Sequence, residues 1–488
     1  MKRFRSIKKA ICLSLTGLLL LSQTACGKAS TKYVTAEKVE PLAYKSVYFD
    51  FLGGKDVMPI GGFFGPYESH EVEINCENFP DYYSDDIFQK IHDCGVNAIV
   101  YYNTVTDIAT KKILEMGEKH GVGLFVKDEM LLELMEDYSA MANEFTPDDL
   151  DFNEFERRMY EYNQYDSCLG LHVRDEAFTY HIDELKGAFD AFNRLGLQNK
   201  HVIANAIGHF GTNNVYTGWQ KTIEAEEYYD QFFETNSTTL STTFYPFEVQ
   251  DETKALEDLF NGLSINRAMA EKYDAVLWRM MQAGAQWNDA GAWLESAENP
   301  FPTEGQMLLD VNAALAYGAK AIQYFTLIQP TWFSKAENYT RDYDRNGLIA
   351  ANGEPTRWYY YAQKANKQIA AVDHVLMNSK NCGVIVHGNY AEEMLGEKSE
   401  HPELISSGSF RQLKKVSGSD AIVGCFDYFG GTALYVTNFN VENKKKITLN
   451  FDNSYAYEVI QRAKSVNVYG QQITLTLEAG EGALVVLQ

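Results

Sequence analysis

From about residue 57 onward the hydrophobic pattern switches repeatedly between two periods. Short apolar, β-branched and aromatic runs predict strands over Pro59–Tyr67, Val96–Asn103, Val122–Glu129, Cys168–Ala177, His201–Gly208, Leu240–Phe247, Asp274–Gln282 and Lys320–Leu327. Amphipathic stretches separate them. In His181–Leu195 the residues Ile182, Leu185, Phe189 and Phe192 recur at helical spacing, and residues 85–93, 106–120, 150–163, 222–233, 254–272 and 304–317 read similarly. Strands alternating with helices in this way imply an α/β fold, a (β/α)8 TIM barrel. A doubly wound open sheet is the alternative. No Gly-x-Gly-x-x-Gly follows the first strand and no Walker motif occurs, so its nucleotide-binding forms have no support. Beyond Asn378 the pattern becomes β-rich, with runs at Val384–His387, Ala421–Phe426, Ala433–Asn438, Lys446–Phe451, Ala456–Gln461, Ile473–Leu477 and Ala483–Leu487 between Gly, Asn and Asp. This predicts a C-terminal β-sandwich.

The first residues follow neither pattern. Lys2, Arg3, Arg5, Lys8 and Lys9 precede an apolar run over 11–21, too short to span a bilayer. Thr24 and Ala25 then precede Cys26-Gly27, which resembles a bacterial lipoprotein signal in which the Cys is lipidated. Gln23 departs from it, since Leu is usual there. A plain secretory signal is the alternative. The resulting division is a signal peptide over 1–25, a polar tether over 26–44, the barrel over 45–378 and the sandwich over 379–488. No later run is apolar enough to cross a membrane, so the expected membrane contact is the lipid anchor alone, on the outer face of the cell.

Charge narrows the partners. With 43 Lys plus Arg against 67 Asp plus Glu, the net charge is −24. An acidic body disfavours nucleic acid, whose phosphates need cations. Hydrophobic content of 45% and aromatic content of 13% exclude a disordered chain. After Cys12 and Cys26, five cysteines remain (Cys76, Cys94, Cys168, Cys382 and Cys425), without a Cys-x-x-Cys. They read as small buried hydrophobes rather than disulfides or a zinc site. Asp342-Tyr-Asp344-Arg-Asn346-Gly347 matches half a calcium loop, but Gly353 stands where the bidentate Glu is required, so an ordinary turn is the better reading. Neither metal nor cofactor is expected, and the oligomeric state is left open.

Strand alternation points to candidate site residues. In Leu169–Glu176, apolar Leu169, Leu171 and Val173 share one parity, while Gly170, His172, Arg174 and Glu176 share the other. The polar set is expected to face the barrel interior, with Glu176 at the C-terminal end where barrel active sites sit. Asp175 is expected to face the helices. By the same reasoning Lys127 and Glu129 face inward from the third strand, and Glu129 and Glu176 are expected across one cleft. Lys127 and Arg174, one layer below, favour ionised carboxylates; an interior salt-bridge network is the competing reading. Further mouth candidates are Tyr102, Asn103, Asn205, His209, Tyr245, Glu248 and Gln282. Five of six tryptophans fall between 278 and 358 (Trp278, Trp287, Trp293, Trp332 and Trp358). Three of them, Trp287, Trp293 and Trp332, lie in the loops after strands seven and eight, where aromatic faces suit a sugar ring.

Taken together, Gly-Leu-His-Val-Arg-Asp-Glu-Ala (170–177), Thr-Phe-Tyr-Pro-Phe (243–247), Leu-Ala-Tyr-Gly-Ala-Lys-Ala-Ile-Gln-Tyr-Phe (315–325) and Asn-Gly-Glu-Pro-Thr (352–356) resemble the barrel glycoside hydrolases of the β-galactosidase and cellulase superclass. The resemblance implies a carbohydrate substrate and makes Glu176 the acid/base. Asp175 stands where that family usually has Asn, and Gln282 stands near the place of its Glu nucleophile. An amide cannot serve as that nucleophile. The expected second carboxylate is therefore Glu129, with Glu248, Glu295 and Glu298 as alternatives. A non-catalytic sugar-binding lipoprotein on a degenerate barrel is the competing function.

Overall fold

A computed structural model describes residues 47–66, 80–100, 106–127, 152–248, 251–284, 302–329, 346–396 and 401–488. Eight strand–helix units run in order: β1 Ile60–Phe63, α1 Asp85–Asp93, β2 Ala98–Val100, α2 Asp107–His120, β3 Gly123–Val126, α3 Phe152–Tyr162, β4 Cys168–Arg174 and α4 Ile182–Arg194. The second half continues with β5 His201–Ile207, α5 Ala225–Phe232, β6 Thr239–Thr243, α6 Glu252–Lys272, β7 Val276–Gln282, α7 Glu304–Ala316, β8 Ala321–Phe325 and α8 Arg357–Leu376. Each strand pairs in parallel with the next and β8 closes on β1, which excludes the open sheet. Helix starts obey their capping chemistry. Thr303 and Gln306 form a reciprocal capping box at α7, and the Asp251 carboxylate accepts the first amides of α6.

Two apolar layers result. Inside the barrel lie Phe63, Phe125, Leu169, Ile203, Trp278 and Met280. The segment ahead of β1 closes the lower end, with Val47 and Phe49 joining this cluster. The Phe49 ring meets Phe125 edge-on at 5.4 Å and His201 at 5.2 Å. Between strands and helices runs a larger core that includes Leu124, Leu171, Val173, Leu277 and Ile322.

The C-terminal part comprises β9 Ser379–His387, α9 Asn389–Met394, β10 Leu413–Gly418, β11 Ala421–Tyr428, β12 Gly431–Asn438, β13 Lys445–Gln461, β14 Lys464–Leu477 and β15 Gly482–Leu487. The pairings between its strands are antiparallel. The runs at 446–451 and 456–461 prove to be halves of one strand, β13, broken by an irregularity between Asn450 and Tyr455. The first half pairs with β10 and the second with β15, so the sheet folds over itself into two layers. Leu413, Val423, Leu434, Leu449, Leu475 and Val485 fill the space between. The hydrophobic pattern did not anticipate β10, whose solvent side carries Lys414 and Lys415.

The other face of this sheet shares the barrel's outer core through Ile422, Phe426, Tyr435, Leu484 and Val486. Gly424 permits the contact, because a Cβ there would lie 2.2 Å from the carbonyl oxygen of Ala316 in α7. Buried Asn312 of α7 pins the junction. It donates to the Gly480 carbonyl at 2.9 Å and accepts from the Tyr435 hydroxyl at 2.6 Å. Asn312→Ala strands both partners in an apolar interface and should lower stability by about 1–3 kcal/mol. Urea unfolding should still show one transition for barrel and sheet; two separated transitions would contradict the shared core.

Candidate active site

Strand β4 does not alternate simply, and that decides what reaches the barrel mouth. Against β3, Leu124 pairs with Cys168 and Phe125 with Gly170, so Leu169 is an extra residue. Against β5, His172 pairs with Ile203 and Arg174 with Ala204, so Val173 is another. Each insertion reverses the facing of the residues beyond it. Gly170 makes the first possible: its φ is +141°, and a Cβ there would overlap the His201 carbonyl oxygen at 1.8 Å. Leu169, expected to face the helices, therefore lies in the interior cluster. His172 does face inward, its ring 5.7 Å from Phe63. After the second bulge Arg174 turns away, its guanidinium 2.8 Å from His181 Nε2.

Asp175 turns inward instead, contrary to the alternation rule. Its Oδ1 accepts from the Asn205 side-chain amide at 2.8 Å. Asn205 Oδ1 in turn accepts from Gln323 Nε2 at 2.9 Å, and Gln323 Nε2 also reaches Ser241 Oγ at 2.6 Å. These are side chains of β5, β8 and β6, and contact between non-adjacent strands is possible only across the interior. Asn205 and Gln323 are fully buried. Asn205 is thus committed beneath Asp175 rather than lining the mouth.

Glu176 comes next with φ +48°, in the left-handed region a non-glycine residue adopts only when its surroundings impose it. Those surroundings are visible. The buried Tyr228 hydroxyl of α5 donates to the Ala177 carbonyl at 2.7 Å and accepts from the Ile207 amide at 2.9 Å, which ties the ends of β4 and β5 together. The Glu176 carboxyl swings over β6 and accepts from Thr243 Oγ1 at 2.6 Å. It opens onto solvent at the mouth, yet enough protein surrounds it for desolvation to raise its pKa, against the Thr243 hydrogen bond. Asp175 is pushed up to about 7 by burial and then by the charge of Glu176, against the pull of Asn205, Lys127 and Arg174. The expectation that Lys127 and Arg174 keep these carboxylates ionised is thereby corrected, because desolvation and mutual repulsion outweigh them. The two carboxyls are neighbours whose charges repel, so they titrate as a pair.

At the end of β7, Gln282 faces inward and is 2% exposed. Its Nε2 donates to the Gly284 carbonyl at 2.9 Å, while its Oε1 has no partner among the described residues. Lys127 is buried at the end of β3. Tyr245 stands at the mouth after β6, its hydroxyl 2.6 Å from Met280 Sδ and its ring 5.3 Å from Phe325. His209 is partly buried after β5, which lowers its pKa. Tyr102, Asn103, Glu129, Trp287, Trp293, Glu295, Glu298 and Trp332 lie outside the described residues, as do the Glu248 side chain, Cys76 and the Asp342–Asp344 turn. Trp278 and Trp358 are core residues. Sequence reasoning missed Ser241, Thr243 and Gln323, although polar residues within apolar strands were a readable sign. It also passed over Trp219, 67% exposed and edge-on to Phe178 at 5.7 Å, in the loop after β5. Among the described residues no group of three or more His, Cys, Asp or Glu side chains could hold a metal ion.

No protein-family model matches the chain, and no curated protein matches its sequence. Solved structures do. A GH42 β-galactosidase from G. stearothermophilus is 8% identical with a TM-score of 0.54, over 89% of this chain and 98% of that one. β-Galactosidases from the psychrophilic Marinomonas ef1 and from Bacillus circulans sp. alkalophilus are each 10% identical with a TM-score of 0.49, over 88% of this chain and 100% and 99% of theirs. At such identities the likeness is one of fold.

The raised Asp175 pKa has a consequence for stability. A carboxyl that binds its proton more tightly when folded contributes most at low pH, and that contribution fades as pH rises from about 4 to about 7. Asp175→Asn should therefore raise the thermal midpoint at pH 8, with the gain shrinking toward pH 4. A gain that is largest at pH 4 would show that the carboxyl is not held protonated.

Proposed function

We propose that this chain is a glycoside hydrolase acting on an oligosaccharide or glycan, with Glu176 as its general acid. One observation carries the reading. Glu176 is held in a strained left-handed conformation at the C-terminal end of β4, with a raised pKa and an opening to solvent. A carboxylic acid whose proton is held more tightly than usual by burial, at the mouth of a (β/α)8 barrel, suits protonation of a glycosidic oxygen. Strain of this kind persists where the surrounding structure enforces it, and here Tyr228 and Thr243 do so. The shared fold with a GH42 β-galactosidase is consistent with this chemistry, although a fold alone does not assign a function.

A second reading, a non-catalytic carbohydrate-binding protein, is favoured by Gln282, which puts an amide at the end of β7. The two separate in one experiment. On glycosides of graded leaving-group ability, Glu176→Gln should lower kcat by about 10²–10⁴-fold for poor leaving groups and less for good ones, the signature of a lost general acid. No turnover by the native protein on a broad glycoside panel, with sugar binding retained in both proteins, would establish the binding protein.

We further propose that Cys26 carries a lipid that holds the protein on the outer face of the cell membrane. The basic residues, the short apolar run and Ala25-Cys26-Gly27 support this. Cys26→Ala should move the protein from the membrane fraction to the soluble fraction and abolish incorporation of labelled fatty acid. Unchanged fractionation and no label in the native protein would leave a plain secretory signal.

A further inference from the structure

We propose that the substrate is a 1,2-trans glycoside of a 2-acetamido-2-deoxy sugar, such as a β-linked N-acetylhexosamine. Its own acetamido oxygen is the nucleophile, and Asp175 holds the acetamido N–H. This inference rests on the hydrolase reading above and deepens it.

The first observation is the character of the carboxylates. Among the described side chains, Asp175 and Glu176 are the only carboxyl groups at the C-terminal ends of the barrel strands. They are chain neighbours on one strand and approach a bound sugar from the same side. A retaining pair needs its two carboxyls about 5–5.5 Å apart across the scissile bond, and an inverting pair about 6.5–9.5 Å with a water between. Neighbours at the end of one strand do not stand on opposite sides of a scissile bond. They do suit a substrate whose glycosidic oxygen and amide N–H are borne on adjacent ring carbons.

The second observation is independent. Gln282, at the end of β7, is buried and faces inward, and its Oε1 has no partner among the described residues. An enzyme-borne nucleophile is missing there, and a neutral group stands with unused hydrogen-bonding capacity. Substrate participation removes the need for a carboxylate at that position.

The third is orientation. Asn205 binds Asp175 Oδ1, and Gln323 fixes Asn205 from across the barrel. Asp175 thus has one oxygen anchored and the other available to accept an N–H. Lys127 from β3 and Arg174 from β4 lower its pKa, and Glu176 raises it. Tyr228 of α5 is close enough to feel both carboxylates. Burial and the charge of Glu176 raise Asp175 to about 7, so it becomes available as a carboxylate as pH rises through that value.

The step balances without a co-reactant other than water. Glu176 gives its proton to the glycosidic oxygen as the C1–O bond breaks and the electron pair leaves with the alcohol. The acetamido carbonyl oxygen forms a bond to C1, closing a five-membered oxazoline ring, while the N–H proton passes to Asp175. The Glu176 carboxylate then takes a proton from water. That water oxygen bonds to C1 as the ring C1–O bond breaks, and Asp175 returns its proton to nitrogen. The product is the free sugar with configuration retained.

The test compares 4-nitrophenyl 2-acetamido-2-deoxy-β-glucoside and -galactoside with their 2-hydroxy counterparts, and with analogues bearing one to three fluorines on the acetyl methyl. The 2-acetamido glycosides should turn over on the order of 10²-fold faster or more, and each fluorine should slow the reaction by weakening the carbonyl nucleophile. Asp175→Asn should lower kcat on the acetamido substrates on the order of 10²-fold without lowering the thermal midpoint. A sugar-fused thiazoline, a stable mimic of the ring intermediate, should raise the thermal midpoint of the native protein but not of Asp175→Asn. Equal turnover of the 2-hydroxy series, indifference to fluorine, or a trapped glycosyl ester on Glu129, Glu248, Glu295 or Glu298 would overturn the inference and leave the hydrolase reading standing. No hydrolysis of either series, or of any glycoside on the broader panel, would remove both.

Discussion

The site depends on the broken alternation of β4. A regular strand presents every second side chain to the same face, so one extra residue exchanges the two sides. Leu169 and Val173 are such extra residues, and the first is tolerated only because position 170 is glycine. Up to the second bulge the strand delivers Leu169 and His172 to the barrel interior. Beyond it the strand sends Arg174 outward to His181 and Asp175 inward to Asn205. Without the second bulge the arginine would occupy the interior, and Asp175 would face the helix layer. A cation would then neutralise Glu176 from below, and the charge that helps to raise Asp175 would be offset.

That arrangement works against stability in the region where it is placed. Two neighbouring carboxyls are held where burial disfavours their charge. One residue adopts a backbone conformation suited to glycine. Offsetting contributions come from around the strand: the Tyr228 bridge between β4 and β5, the Asn205–Gln323–Ser241 chain through the interior, and the Thr243 hydroxyl on Glu176. Buried polar chains of this sort are favourable only when their members find partners; here the bonds run across three strands, with Gln323 Oε1 left without a partner among the described residues. The rigid lower barrel, closed by Phe49, and the sheet locked to α7 through Asn312 supply a frame that does not yield to the strain above.

The fold was legible because it is written in repeated signals. Eight apolar runs and the amphipathic stretches between them each carry the same instruction, so an error at one boundary leaves the topology intact. The end of β1 was placed too late, where Phe64 continues the apolar run past the last ladder pairing. The site was legible at Glu176, since the end of β4 is fixed by topology. It was misread at Asp175 and Arg174, since a bulge is set by local backbone fit. Gly170 was the one residue that hinted at it, and a glycine inside a strand pattern admits several explanations. Strand β10 escaped notice for a different reason: with Lys414 and Lys415 on its solvent side, only Leu413 and Val416 are buried, too few to mark a period.

The amide of Gln282 at the end of β7 fits an environment that already holds a buried acid. Below Gln282, on the helix side, Arg279 and Asp310 form a fully buried ion pair, with the guanidinium 5.0 Å from the Phe244 ring. The N···O distance is 3.4 Å, and Arg279 Nε and Nη1 lack partners among the described residues. Burial pushes Asp310 up to about 6, although the Gln282 backbone amide also hydrogen-bonds to it. This strand end therefore already carries one buried acid that its cation only partly offsets. A glutamate at 282, on the inward side of the same strand, would add a second buried negative charge to it. Gln282 keeps the shape and the hydrogen bond to Gly284 without that charge. Among the described residues the carboxyl groups at the strand ends are those that follow β4, beside Asn205 and Thr243.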